Sequence, residues 1–222
     1  MTSTSSAAPI PPVYAGPLGK SALAGVRRNT TTVVKASVSN DFSSLDDFVV
    51  LARDPEISSG RLSGEGVVRH RDQMHTDEFL VEAEVGIKPS GKTRIVTCGS
   101  ATFSSFYGLE VETGIINNKL HIIKGSGTTA LLDGGIISEV DKYSTINRTV
   151  EIGDKVGVWF DRAAGMVRGY VNQSQVISLP VPKWEIPHGD GFRYWGVAQG
   201  VDLFLGFLNP GVEFTSITAE DV

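Results

Sequence analysis

The chain has 222 residues, 41% hydrophobic and 20% charged, with 25 Gly, 10 Pro and a formal charge of −5, which suits one large β domain with a short appendage. Its basic clusters are no larger than Arg69, His70 and Arg71 or Arg27 and Arg28, which argues against nucleic acid as a partner, because phosphate neutralisation needs clustered Lys and Arg. The single cysteine, Cys98, excludes an intrachain disulfide framework, and no window approaches the roughly 18 apolar residues of a span, so no membrane insertion is expected.

Residues 1–40 differ from the rest. Ser, Thr, Ala and Pro dominate up to Pro17, and Pro11–Pro12 favours an extended chain. This stretch reads as an N-terminal arm that orders against a neighbour or serves as a tether. Pro11, Pro12, Tyr14, Arg27 and Arg28 are its candidate anchors. No basic region followed by an apolar one stands at the start, so the chain is expected to be made and folded in a reducing cytoplasm.

From Phe42 onward the pattern is strand after strand. EFLVEAEVGI (78–87) alternates strictly, with Phe79, Val81, Ala83, Val85 and Ile87 on one face. YGLEVET (107–113) repeats the beat, with Tyr107, Leu109 and Val111 inward and Glu110 and Glu112 outward, and KLHIIKG (119–125) returns. In DKVGVWFDRAAGMVRGYVNQSQVISL (154–179), Val156, Val158 and Phe160 share a face opposite Gly157 and Trp159. There DRAAG supplies a capping Asp and a Gly free to take positive φ. FRYWGVA (192–198), VDLFLGF (201–207) and VEFTSITAEDV (212–222) complete the run. With no sustained 3.6-residue periodicity, the expected class is all-β: an antiparallel sandwich or jelly roll over 41–222, preceded by the 1–40 arm.

The segment VGVWFDRAAGMVRGYVNQSQVIS resembles the hairpin of concanavalin-like, laminin-G-like jelly rolls, in which a strand ends in Asp, turns through Gly and returns as V-x-x-Y-V-N-G. Gln173 stands where those folds usually have Gly, so a turn longer than two residues is expected there. DFSSLDDFVVLARDPEISSGRLSGEG (41–66) and the terminal VEFTSITAEDV look like the opening and closing strands of the same fold. With its Pro-rich lead-in, the arrangement is similar to minor tail proteins of tailed bacteriophages. That resemblance implies a structural virion protein in the tail, with other virion proteins and copies of itself as partners, and host cell-wall glycans as a further contact.

Chemistry is sparse at the level of motifs. Related jelly rolls include hydrolases with Glu-x-Asp-x-x-Glu on one strand; here Glu139-Val-Asp141-Lys-Tyr-Ser144 lacks the last carboxylate. The pairs Glu82/Glu84 and Glu110/Glu112 read as solvated sheet faces. Gly19-Lys-Ser21 has Tyr14 where a phosphate loop needs its first Gly, and no G-x-S-x-G elbow occurs. His70, His75, His121, His188 and Cys98 show no zinc spacing. Calcium is the metal left open, through loop Asp133, Asp141 and Asp190. No cofactor and no enzyme are expected. Trp159 and Trp195, with Tyr107, are the candidate contacts for a partner or a glycan, because an outward aromatic face stacks on the C–H face of a sugar ring. Trp184, between Pro182 and Pro187, reads as a loop pin. The alternative to the tail protein is a lectin-like, carbohydrate-binding module without catalysis.

Overall fold

The computed structural model describes residues 36–114, 118–126, 140–199, 203–204, 207–208 and 211–222. The expected arm anchors from Pro11 to Arg28, and Asp133 and Glu139, lie outside them. The described strands, in chain order, are β1 (Ser37–Asn40), β2 (Phe48–Arg53), β3 (Glu56–Ile57), β4 (Leu62–Ser63), β5 (Gly66–His70), β6 (Phe79–Ile87), β7 (Gly91–Gly99), β8 (Ser105–Thr113) and β9 (Lys119–Ser126). They continue as β10 (Val140–Asn147), β11 (Lys155–Asp161), β12 (Met166–Val171), β13 (Ser174–Pro180), β14 (Tyr194–Gln199), β15 (Leu203–Phe204), β16 (Phe207–Leu208) and β17 (Glu213–Asp221).

Two antiparallel sheets form the sandwich. An eight-stranded sheet runs β13-β12-β11-β6-β17-β4-β3, with β1 also on β17; a seven-stranded sheet runs β10-β9-β8-β7-β14-β5-β2. β15 and β16 make a separate hairpin where one continuous strand was expected. The all-β reading holds, and the sandwich reaches back past residue 41, since Ser37–Asn40 pairs with β17.

Alternation explains the layers. Along β6, Phe79, Val81, Ala83 and Val85 are buried between the sheets while the residues between them are only partly covered. Val156, Val158 and Phe160 of β11 and Val167 and Val171 of β12 fill the same layer, facing Tyr107, Leu109 and Val111 of β8. Each such side chain, fully buried, contributes about 1.5–3 kcal/mol. A second apolar cluster, with Val67, Val96, Phe103, Phe106, Ile123 and Ala198, lies on the other face of the seven-stranded sheet.

The two turns of the β11–β13 ribbon differ from each other. At the first, the Asp161 carboxylate accepts from the Ala164 backbone N–H (2.9 Å) and Gly165 takes φ 63°, as its sequence implies. The second corrects an expectation. Val171 pairs with Ser174, so the turn has only the two residues Asn172 and Gln173, at φ 49° and 64°. Two successive positive φ values are the requirement of a tight hairpin turn matched to strand twist, and Gln173 meets it without being Gly. Asn172 helps to hold it: its Oδ1 accepts from the Lys155 N–H (2.9 Å) and its Nδ2 donates to Asp154 (2.8 Å).

Candidate functional site

On the face of the seven-stranded sheet turned away from the sandwich core, register builds a transverse polar row. Arg94 pairs with Glu110, Glu110 with His121, and His121 with Thr145, across β7, β8, β9 and β10. Directly opposed residues on one face lie close enough for their side chains to meet. Arg94 Nε donates to Glu110 Oε2 at 2.8 Å. A carboxylate only accepts, so His121 Nε2–H donates to Glu112 Oε2 (2.9 Å), while Nδ1 meets the Thr145 hydroxyl (2.8 Å). Glu110 Oε1 stands 4.0 Å from the same Nε2. Glu110 is 0% exposed, and Arg94 and His121 are also buried. Glu110 and Glu112 therefore do not form the solvated pair expected of them: the sequence period places them outward from the core, but the sheet's outer face is covered.

One ligand atom each from Glu110, Glu112 and His121 lies within 4.8 Å of the others, a donor set of the kind that suits a transition metal better than oxygen-seeking calcium. The Arg94 guanidinium already balances Glu110, and His121 Nε2 carries a proton toward Glu112, so a cation would have to displace both. Among the described residues of the calcium set, Asp190 is paired with Arg193 at 2.9 Å.

A second place is open to solvent. Where edge strands β10 and β13 of the two sheets meet, a cavity of about 250 Å³ is lined by Tyr107, Lys124, Tyr143, Glu185 and residues 179–182. Tyr143 stands at a bulge in β10, between Lys142 and Ser144, and is 49% exposed. A bulge re-aims a side chain off the ladder, which is how an edge strand turns a ring into this space. Lys124 donates to Glu185 Oε2 (2.6 Å), and its ammonium lies 5.9 Å from the Tyr107 ring centre. Burial, reinforced by the Glu185 charge, pushes the Tyr107 pKa up, so its hydroxyl stays a donor. Glu185 belongs to a short 3₁₀ turn, Lys183–Glu185, that presents Trp184 at 84% exposure. Trp184 is not the buried loop pin expected of it; it stands in solvent between Pro182 and Glu185, which line the cavity.

No protein-family model and no curated sequence matches the chain. Solved structures do. Peanut lectin with a nine-residue peptide is 14% identical at TM-score 0.52, over 84% of this chain and 97% of that one. The exoplasmic/lumenal domain of VIP36, in a Ca²⁺/Man3GlcNAc-bound form, is 11% identical at TM-score 0.53, over 84% and 88%. A Bacillus licheniformis β-glucanase is 11% identical at TM-score 0.51, over 83% and 97%. The fold is the concanavalin-like jelly roll. Because a β-glucanase shares this jelly roll along most of the chain, the expectation that the protein is not an enzyme is overturned.

Of the three expected contact residues, the jelly roll brings Tyr107 alone to the cavity. Trp195 is 0% exposed in the layer between the sheets, stacked on His70 with ring centres 4.4 Å apart, and makes no outward contact. The correction is one of face: on β14 it is Tyr194, under the Arg69 guanidinium at 4.2 Å, that lies on the outer side. Trp159 is half-buried on the far face of the eight-stranded sheet, opposite Leu80 and Arg168, with the guanidinium 5.8 Å from its ring. Lys124, Tyr143 and Glu185 were missed, and Trp184 was read as a loop pin. The local signal available was two prolines bracketing a Trp.

Proposed function

We propose that this protein is a lectin-like, carbohydrate-binding module that takes a sugar ring in the cavity between β10 and β13. The observation that carries the reading is the cavity itself. The half-exposed Tyr143 ring supplies stacking surface, Lys124 supplies a donor, Glu185 supplies an acceptor, and Trp184, the exposed residue before Glu185 in the same turn, is the further ring this reading enlists. Its volume of about 250 Å³ lies just under the range of drug-sized pockets, which suits one ring and not a long oligosaccharide. The sugar-binding or sugar-acting neighbours of the same fold favour this reading over the tail-assembly role, which draws nothing from them. The resemblance to tail proteins supports a particle surface as the place where such a module would work, and antibody labelling of purified virions tests that location. For binding, glycan-array screening of the full chain should give retention that Tyr143→Ala and Trp184→Ala each reduce about tenfold or more. Absence of retention on every glycan would refute it.

A second reading, cleavage of a glycosidic bond, rests on the half-buried Glu112, one of whose oxygens lies within 4.8 Å of one on the covered Glu110. Release of reducing sugar that Glu112→Gln abolishes would favour it. Release that survives this change would set the pair aside.

A further inference from the structure

Resting on the glycan-binding reading of the edge cavity, we infer that the ring it takes is acidic: a hexuronic acid residue whose carboxylate replaces that of Glu185 on Lys124. The balance of polar groups carries this. Among the lining residues the one cation, Lys124, is held in the sheet. Lys124 sits on β9 inside the seven-stranded sheet, and Tyr107 projects from β8, its hydroxyl kept protonated. The one carboxylate, Glu185, sits on a three-residue turn of the wall. No residue of the turn Lys183–Glu185 is buried, and no side chain caps it. The Glu185 backbone is tied by its N–H to the Pro182 carbonyl (2.9 Å) and by a long 3.5 Å approach of the Tyr107 hydroxyl to its carbonyl oxygen.

The Lys124–Glu185 pair is partly exposed, at 21% and 36% of the two side chains. Such pairs are weak because water screens them and two long side chains must be held in place. Glu185 can therefore swing into solvent at little cost. An incoming uronate leaves the ammonium with an equal counter-charge in the same place, so the exchange is close to balanced. A neutral hydroxyl offers no such exchange. To reach Lys124 it must displace a carboxylate and leave a half-covered ammonium with only a neutral acceptor, and charge-assisted hydrogen bonds are the stronger kind. The half-exposed Tyr143 ring then holds the sugar ring that a simple carboxylate lacks.

The experiment is calorimetric titration of the full chain with a glucuronate-containing disaccharide, its glucose counterpart, and acetate. The uronate is expected to bind roughly tenfold more tightly than its neutral counterpart. Glu185→Gln, which removes the internal competitor, should tighten the uronate roughly threefold, and Lys124→Gln should weaken it roughly tenfold. Equal affinity for acidic and neutral disaccharides, with Glu185→Gln weakening both, would overturn the inference and leave glycan binding standing. Binding of acetate as tight as that of the uronate would overturn the sugar class. Binding of none of the three, with no retention on a glycan array, would overturn both readings together.

Discussion

Two ion pairs of nearly equal length behave as different kinds of object: Arg94–Glu110 joins neighbouring strands of one sheet, and Lys124–Glu185 joins β9 of that sheet to an exposed turn. Arg94 and Glu110 meet at 2.8 Å with their side chains 7% and 0% exposed, and Lys124 and Glu185 meet at 2.6 Å with 21% and 36%. Distance is the same to within the scatter of a hydrogen bond; the surroundings are not. In the covered row, loss of one partner leaves the other's charge under-compensated where water does not reach. At the cavity wall, water or another anion takes the place of the lost partner. A buried pair therefore specifies how the sheet packs, and an exposed one is available for exchange with a ligand.

The largest effect should come from breaking the covered pair. Arg94→Met is expected to cost about 3–5 kcal/mol in urea unfolding, against under about 1 kcal/mol for Lys124→Gln. Equal losses would erase the distinction. The tryptophans repeat it in apolar form. Trp195→Ala should cost about 3–5 kcal/mol, because Trp195 fills the layer between the sheets against His70 and its removal leaves a void. Trp184→Ala, in the exposed turn, should change stability by less than about 0.5 kcal/mol while reducing glycan retention. A Trp184 variant that unfolds would place that ring in the packing after all.

What was legible in the sequence follows the same division. β6 and the β11–β12 ribbon were readable because period two is a local property; burial alternates as written along β6 and β12, while β11 also buries Gly157 and Asp161. Alternation sets which residues share a face but not which face the protein covers. Trp195 was on that account taken for a surface ring, and Glu110 for a solvated carboxylate. The row of Arg94, Glu110, His121 and Thr145 needs the register of three strand pairs, and residues 115–117, in the connection between β8 and β9, do not disclose it by composition. The cavity is further still from sequence: Lys124 and Glu185 are 61 residues apart and meet only because the edges of two sheets do. Tyr143 depends on a bulge, a one-residue slip with no composition signal here.

Protonation should separate the buried from the open by a smaller margin. His70 is stacked on Trp195 and meets Phe48 in a T-shaped contact, its Nδ1 accepts from the Asp72 N–H (3.1 Å), and burial holds its pKa below the ordinary 6.5. The folded state thus holds the neutral ring. Its contribution is fully present above 6.5 and is lost as pH falls through that value toward the lowered folded pKa. Burial acts oppositely on Glu82, raising its pKa, so stability from that group is present below 4.5 and lost as pH rises through the raised value. Melting temperature should fall from pH 7.5 to 5.5 in the native chain and fall less in His70→Phe. Parallel curves for the two would remove His70 as the source.

The smallest expected effect lies at the two turns of the ribbon, where the fold asks the same backbone of different residues. Gly165 takes φ 63° and Gln173 takes φ 64°, yet only the first lacks a Cβ. In the left-handed region a Cβ crowds the following carbonyl at a cost of about 1–2 kcal/mol, which Asn172 beside it reduces by bonding its own surroundings and Gln173, with no hydrogen bond of its side chain among those described, does not. Gln173→Gly removes that crowding but gives the unfolded chain more freedom to lose, so the net gain should be about 0.5–1 kcal/mol in the unfolding midpoint. Asn172→Gly should not match it, because it also deletes the bonds to Lys155 and Asp154 that tie the turn to the start of β11. If Gln173→Gly were neutral and Gln173→Pro tolerated, the two-residue turn with both residues at positive φ would not be the one the chain adopts, since proline is locked at negative φ. The register that places Tyr170 against Gln175 would then have to slip with it.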